Sequence, residues 1–172
     1  MRSSHGFKKA RLYFAAPLFS EAERQFNVAL ADKLRTLFDV YLPQDDGGLV
    51  SEMVKRDTDF NDAFVTVFNL DVIEIRKCDV FLIVLDGRAV DEGAAFELGY
   101  ATALGKMCIG LQTDPRRAIG SRNNPMIDCA LKYVFTGVDA LVEWSTEFVN
   151  QNITAVPNHY LDLGPHVPLS PD

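Results

Sequence analysis

The chain has 172 residues, 48% of them hydrophobic, and a formal net charge of -7 at pH 7, which suits one compact domain with a full core and is too short for two of ordinary size. The acidic balance argues against a nucleic-acid surface, because phosphate binding needs clustered Lys and Arg, and the basic cluster Arg116-Arg117 with Arg122 is small. No apolar run reaches the roughly 20 residues that cross a bilayer, and residues 1–9 lack the apolar segment of a secretory signal, so a cytoplasmic protein with no membrane partner is expected.

In chain order, Arg11–Ala15 reads as a first strand. Residues 21–37 read as a helix with Phe26, Leu30, Leu34 and Leu37 on one stripe. A short second strand at 39–42 is closed by Pro43, and the polar, Gly47-Gly48-bearing stretch 43–57 reads as a loop. A helix over 58–77 brings Phe64, Phe68, Val72 and Ile75 to one face. The third strand is 80–85, followed by an alanine- and glycine-rich helix and a fourth strand at Met107–Leu111. A long loop, 112–125, leads to a short helix, a fifth strand at Tyr133–Phe135 and a last helix at Val138–Asn150. Residues 1–9 form a tail, 10–153 the domain, and 154–172 a proline-rich arm. Strands spaced by helices call for a doubly wound α/β fold, a five-stranded parallel sheet with helices on both faces in the flavodoxin-like order 2-1-3-4-5.

Cys78, Cys108 and Cys129 are odd in number and lie near apolar segments, so they read as buried reduced thiols. His5, His159 and His166 fall in the two tails, which leaves no pattern for a metal site. Gly93, Gly99 and Gly105 fit neither common phosphate-loop spacing, so no nucleotide cofactor is called for. Gly105-Lys106 reads instead as a helix stop, Gly at C′ with Lys at the negative dipole end.

Residues 91–106 carry the most information. Glu97 has Gly93, Ala94, Tyr100 and Ala101 as its neighbours at helical spacing and no Lys or Arg at three or four residues either way. A charge on so small-sided a helix is costly unless it has a task. It also lies near a helix start beyond a strand end, where open α/β sheets bind ligands.

Four segments together resemble the nucleoside 2-deoxyribosyltransferase family: Tyr13-Phe14-Ala15-Ala16-Pro17-Leu18-Phe19; Asn69-Leu70-Asp71; Asp91-x-Gly93-x-x-x-Glu97-x-Gly99-Tyr100-Ala101-x-Ala103-x-Gly105-Lys106; and Asn124-Pro125-Met126. The third is the specific one. The resemblance implies Glu97 as nucleophile and Tyr13 as its hydrogen-bonding partner. It implies that Asp71 and Asp91 fix base and sugar, and that Asn124 reaches a sugar hydroxyl across a subunit boundary. Gln44 would contact the base, and Phe19, Gly93 and Met126 belong to the same substrate-binding set. The implied reaction moves 2-deoxyribose between nucleobases through a deoxyribosyl-glutamate ester, with retention at C1′, no cofactor, and a homo-oligomer whose sites lie near subunit interfaces.

The chemistry of these residue types agrees. Cleaving an N-glycosidic bond passes through an oxocarbenium-like state that a carboxylate beneath C1′ stabilises and can trap. A second carboxyl near the base can give the proton that makes the base a leaving group, and Asp71 and Asp91 are the candidates. Gly93 and the alanines leave room for a sugar ring. Plainer duties stand beside these: Asp91 is placed to cap its helix, Asp71 to be a solvated helix residue, Tyr13 to be core and Asn124 to make a turn. A hydrolase of nucleosides or nucleoside 5′-monophosphates on the same scaffold is the competing enzyme, although Glu21 and Glu23 in the loop after strand one would repel a phosphate and Arg24 would attract one. A non-catalytic nucleoside-binding module is the third reading, and it requires Glu97 to be idle.

Overall fold

The computed structural model describes residues 9–48, 50–118 and 123–151; residues 1–8 of the N-terminal tail, the whole proline-rich arm, and Arg122 of the basic cluster lie outside the described residues. Five strands form one parallel sheet in the order β2-β1-β3-β4-β5, with β1 at Arg11–Ala15, β2 at Asp39–Tyr41, β3 at Val80–Val84, β4 at Met107–Leu111 and β5 at Tyr133–Phe135. This is the expected doubly wound order. The chain winds outward from β1 to β2, then crosses back to β3, which puts the switch point between β1 and β3, where such sheets open a crevice.

Side-chain alternation along the central strands separates two cores. Leu12 and Phe14 of β1, with Val80, Leu82 and Val84 of β3, face helices α1 (Glu21–Arg35) and α7 (Val138–Asn150) through Leu30, Leu34, Leu141 and Phe148. Tyr13 and Ala15, with Phe81 and Ile83, face α3 (Phe60–Lys77) and α4 (Glu92–Ala103) through Ile75, Ala94, Leu98 and Ala101. All five residues of β3 are buried, as a strand covered on both sides requires.

The sequence expectation fails in three places. Residues 43–57 are not a polar loop: Pro43–Gly47 winds into a π-helical turn and Val50–Lys55 forms a helix, labelled α2. Asp46 fixes the first by accepting the Leu42 N–H at 2.8 Å, and Gly48, at φ 82°, reverses the chain before the second. Within 112–125 a short helix α5, Pro115–Ala118, precedes α6 at Pro125–Asp128. Cys129 is exposed, unlike the buried Cys78 and Cys108, because it caps the C-terminus of α6 on the surface. Gly105, at φ 68°, does end α4. Its neighbour Lys106 reaches further than expected, donating to the carbonyls of Arg76 and Cys78 at the end of α3 (2.7 and 2.8 Å). Among the described residues no helix is long and apolar enough to cross a membrane.

Candidate active site

Helix α4 starts where Asp91 accepts the Ala94 N–H at 2.9 Å, the capping duty its position suggests. From that start Ala94, Leu98 and Ala101 form the buried stripe against the sheet. Glu97 stands on the same side, three residues after Ala94 and four before Ala101, so its carboxylate is carried toward β1 in the sheet's interior. There the Tyr13 hydroxyl donates to Glu97 Oε1 at 2.8 Å.

Tyr13 is held rigidly. It pairs in register with Tyr41 of β2 on one side and Phe81 of β3 on the other, and in-register neighbours of parallel strands put their side chains on one face. The three rings stack, with centroids 5.5 Å apart on both sides and interplanar angles of 25° and 7°. The phenol is wholly buried. Burial, then the nearby charge of Glu97, holds its proton far more tightly than usual, so Tyr13 serves as a donor.

Glu97 and Asp71 open on a cleft of about 670 Å³ beyond the ends of β1 and β2. Its walls are Ala16, Leu18, Phe19 and Arg24 after β1, Pro43 and Ser51 after β2, Phe64, Val67, Phe68 and Asp71 on α3, and Asp91, Gly93 and Ala94 at the start of α4. At Gly93 a Cβ would lie 3.2 Å from Asp91 Oδ1, so the bare backbone keeps that carboxylate and the space above it clear. Burial pushes the Glu97 carboxyl up to about 8; the Tyr13 hydrogen bond opposes this, and the charges of Asp71 and Asp91 reinforce it. Asp71 rises to about 6, again chiefly by burial, with the facing phenols of Tyr13 and Tyr41 pulling it back. A cleft of apolar walls thus holds two carboxyls whose proton affinity is raised toward the neutral range, the environment in which acid and nucleophile roles can be divided. Among the described residues no cluster of three or more His, Cys, Asp or Glu could hold a metal ion.

The structure brings Tyr13, Phe19, Asp71, Asp91, Gly93 and Glu97 together. It leaves the others apart. Gln44 accepts from Asn27 Nδ2 at 3.0 Å and donates to the Arg24 carbonyl at 3.2 Å, so it braces the wall from behind. Asn124 caps α6 by accepting the Met126 N–H at 2.9 Å, and both residues are exposed outside this cleft. Glu23 bends back onto the N–H groups of Phe19 and Ser20 (3.0 and 2.7 Å) in a capping box, which presents the loop after β1 as a rigid lip. Arg24 ties the same lip by donating to the Phe19 carbonyl at 2.6 Å.

Sequence reasoning put Phe64 and Phe68 on one helix face but named neither them nor Val67 as site residues, and it passed over Tyr41. The wall was within reach: Phe64, Val67 and Phe68 stand seven, four and three residues before Asp71, the spacing of one helical stripe. Tyr41 was not, since its place depends on strand register.

The sequence profile of a family described as nucleoside 2-deoxyribosyltransferase matches residues 12–156. The structure of a conserved protein from Enterococcus faecalis V583 is similar, with a TM-score of 0.67 at 25% identity over 81% of this chain and 98% of that one. A 2-deoxyribosyltransferase from the psychrotolerant bacterium Bacillus psychrosaccharolyticus is similar too, with a TM-score of 0.64 at 24% identity over 77% of this chain and 90% of that one. No curated protein sequence matches.

Proposed function

The chain belongs to the nucleoside 2-deoxyribosyltransferase family, and from that premise we propose that it transfers 2-deoxyribose between nucleobases through an ester on Glu97. The observation that carries this reading is the half-buried Glu97 carboxylate, bonded to Tyr13 at 2.8 Å and opening on the cleft beside Asp71 and Asp91.

A 2′-deoxynucleoside seats its base against the apolar wall of α3 and its sugar against the start of α4. Glu97 attacks C1′ as the C1′–N bond breaks, and the bond pair leaves with the base. Asp71 gives the base a proton, a task suited to a carboxyl raised to about 6. Tyr13 donates to the ionised form of Glu97 and so favours the nucleophile. A second base then attacks C1′ from the face the first one left, returns a proton to Asp71, and frees Glu97. Two displacements give retention. Asp91, its Oδ1 bound by the Ala94 N–H, holds the sugar edge.

Outside the cleft, Phe96 and Met126 are 57% and 81% exposed. A second copy of the chain covers this apolar surface, and the exposed Asn124–Met126 turn of one copy serves the cleft of its neighbour. A single-subunit mass by sedimentation at full activity would contradict that assembly.

Incubation with deoxyinosine and adenine tests the reaction. Deoxyadenosine should accumulate with adenine present, and free deoxyribose should appear slowly without it. Deoxyribose release unaffected by any added base would make the protein a hydrolase, and inertness toward every nucleoside would leave it a binding module.

A further inference from the structure

Tyr41 is a half-buried titratable residue, its hydroxyl oxygen fully covered, that the reaction above does not use. It ends β2, in register with Tyr13 and stacked on it. Its hydroxyl and Asp71 Oδ1 are both buried, and neither has a hydrogen-bond partner among the described residues. A buried hydroxyl or carboxylate oxygen without a partner is costly, and a native structure keeps one only for a reason. The two atoms border the same small space. A Cβ added to Gly47 would lie 2.6 Å from the Tyr41 hydroxyl and 3.4 Å from Asp71 Oδ1. Gly47 is itself buried, in the turn that Asp46 fixes. The glycine therefore leaves open the gap across which phenol and carboxylate face each other.

We propose that Tyr41 is a positioning residue for Asp71: its hydroxyl donates to Oδ1 of the ionised carboxylate across the gap kept by Gly47, leaving Oδ2 turned to the cleft. This rests on the reading of Asp71 as the group that protonates the leaving base. One oxygen held from behind fixes the plane of the carboxyl, and so the direction in which the other can meet a base nitrogen. The same bond stabilises the charged form and keeps Asp71 acidic enough to release its proton in each cycle. Burial and then the charge of Asp71 hold the Tyr41 phenol above its ordinary range, so it remains the donor. The other ionisable groups around the pair are Tyr13 on β1, Asp46 in the turn after β2, Glu74 on α3 and Glu97 on α4, with Asp91 acting on Glu97.

The test is a carbon-13 NMR titration of the full chain, in which the Asp71 carboxyl is assigned by its loss in Asp71→Asn. Tyr41→Phe keeps the ring stack and removes the hydroxyl. The Asp71 midpoint should rise by about one pH unit, the tenfold effect of losing one hydrogen bond to a charged group. Gly47→Ala, which crowds the hydroxyl, should raise it as well, and should do so far less in the Tyr41→Phe background, since both act through one bond. In kinetics the acid limb of kcat/KM for base release should move up with the midpoint. An unchanged midpoint in Tyr41→Phe, or a Gly47→Ala shift that persists fully without the hydroxyl, would overturn the proposal. The titration needs no substrate, so it stands even if no nucleoside is turned over, an outcome that would sink the transferase reading alone.

Discussion

The two faces of the sheet use the same strands for opposite ends. On the α1/α7 face, β1 contributes Leu12 and Phe14 to an apolar cluster that also holds Leu34, Phe38, Leu141 and Phe148. On the α3/α4 face the intervening residue, Tyr13, joins a ladder of three rings and meets Glu97, with the half-buried Asp71 in the same cleft. One face is packed for stability, and the other keeps raised carboxyls that an apolar core would exclude. The period of two along β1 is what allows a single strand to do both.

That contrast can be broken from either side, and the largest effect belongs to Glu97. Glu97→Ala and Glu97→Gln should each lower kcat by roughly three to five orders of magnitude, since losing a covalent nucleophile removes stabilisation made mainly in the transition state. KM should change far less, and circular dichroism should show the fold intact. Near-normal turnover in either variant would place the chemistry elsewhere.

Next in size is the opposite face. Leu34 is fully buried against the sheet, and Leu34→Ala should lower unfolding free energy by about 2–5 kcal/mol, the usual result of a large-to-small change in a core. Below its melting temperature the variant should keep its kcat. A specific loss of kcat in the folded variant would mean that the faces are coupled.

The smallest effect sharpens the comparison, because one substitution should act oppositely on the two properties. Glu97 titrates at about 8 in the fold against an ordinary 4.5. Between those values the folded chain holds a proton that the unfolded chain has lost, so stability falls as pH rises through the window, and the full penalty is present above about 8. Glu97→Gln removes the penalty. Its melting temperature should exceed the wild type's at pH 9 by several degrees, and the gap should close by pH 4. A gap independent of pH would mean that the carboxyl is not held in its neutral form.

Much of this was legible in the sequence, for reasons that particular residues make plain. A continuous apolar run such as Val80–Val84 declares a buried parallel strand, and right-handed crossovers leave few orders to choose from. Glu97 stood out because small residues surround it at helical spacing. The stretch 43–57 misled because Gly47-Gly48 outweighs Val50, Met53 and Val54 when only composition is read, whereas in space those residues wind into a short helix. Tyr41 escaped notice because only strand register brings it beside Tyr13 and stacks the two rings. Gln44 and Asn124 show the reverse: residues that the family resemblance assigns to substrate meet other side chains or backbone in the single chain.

The central claim is covalent. Wild-type protein mixed with deoxyinosine, quenched in acid and digested should yield a peptide containing Glu97 heavier by one deoxyribosyl group, and that adduct should vanish in Glu97→Ala and on prior addition of excess adenine. An adduct on any other residue, or none under conditions where base is released in a burst, would contradict the account.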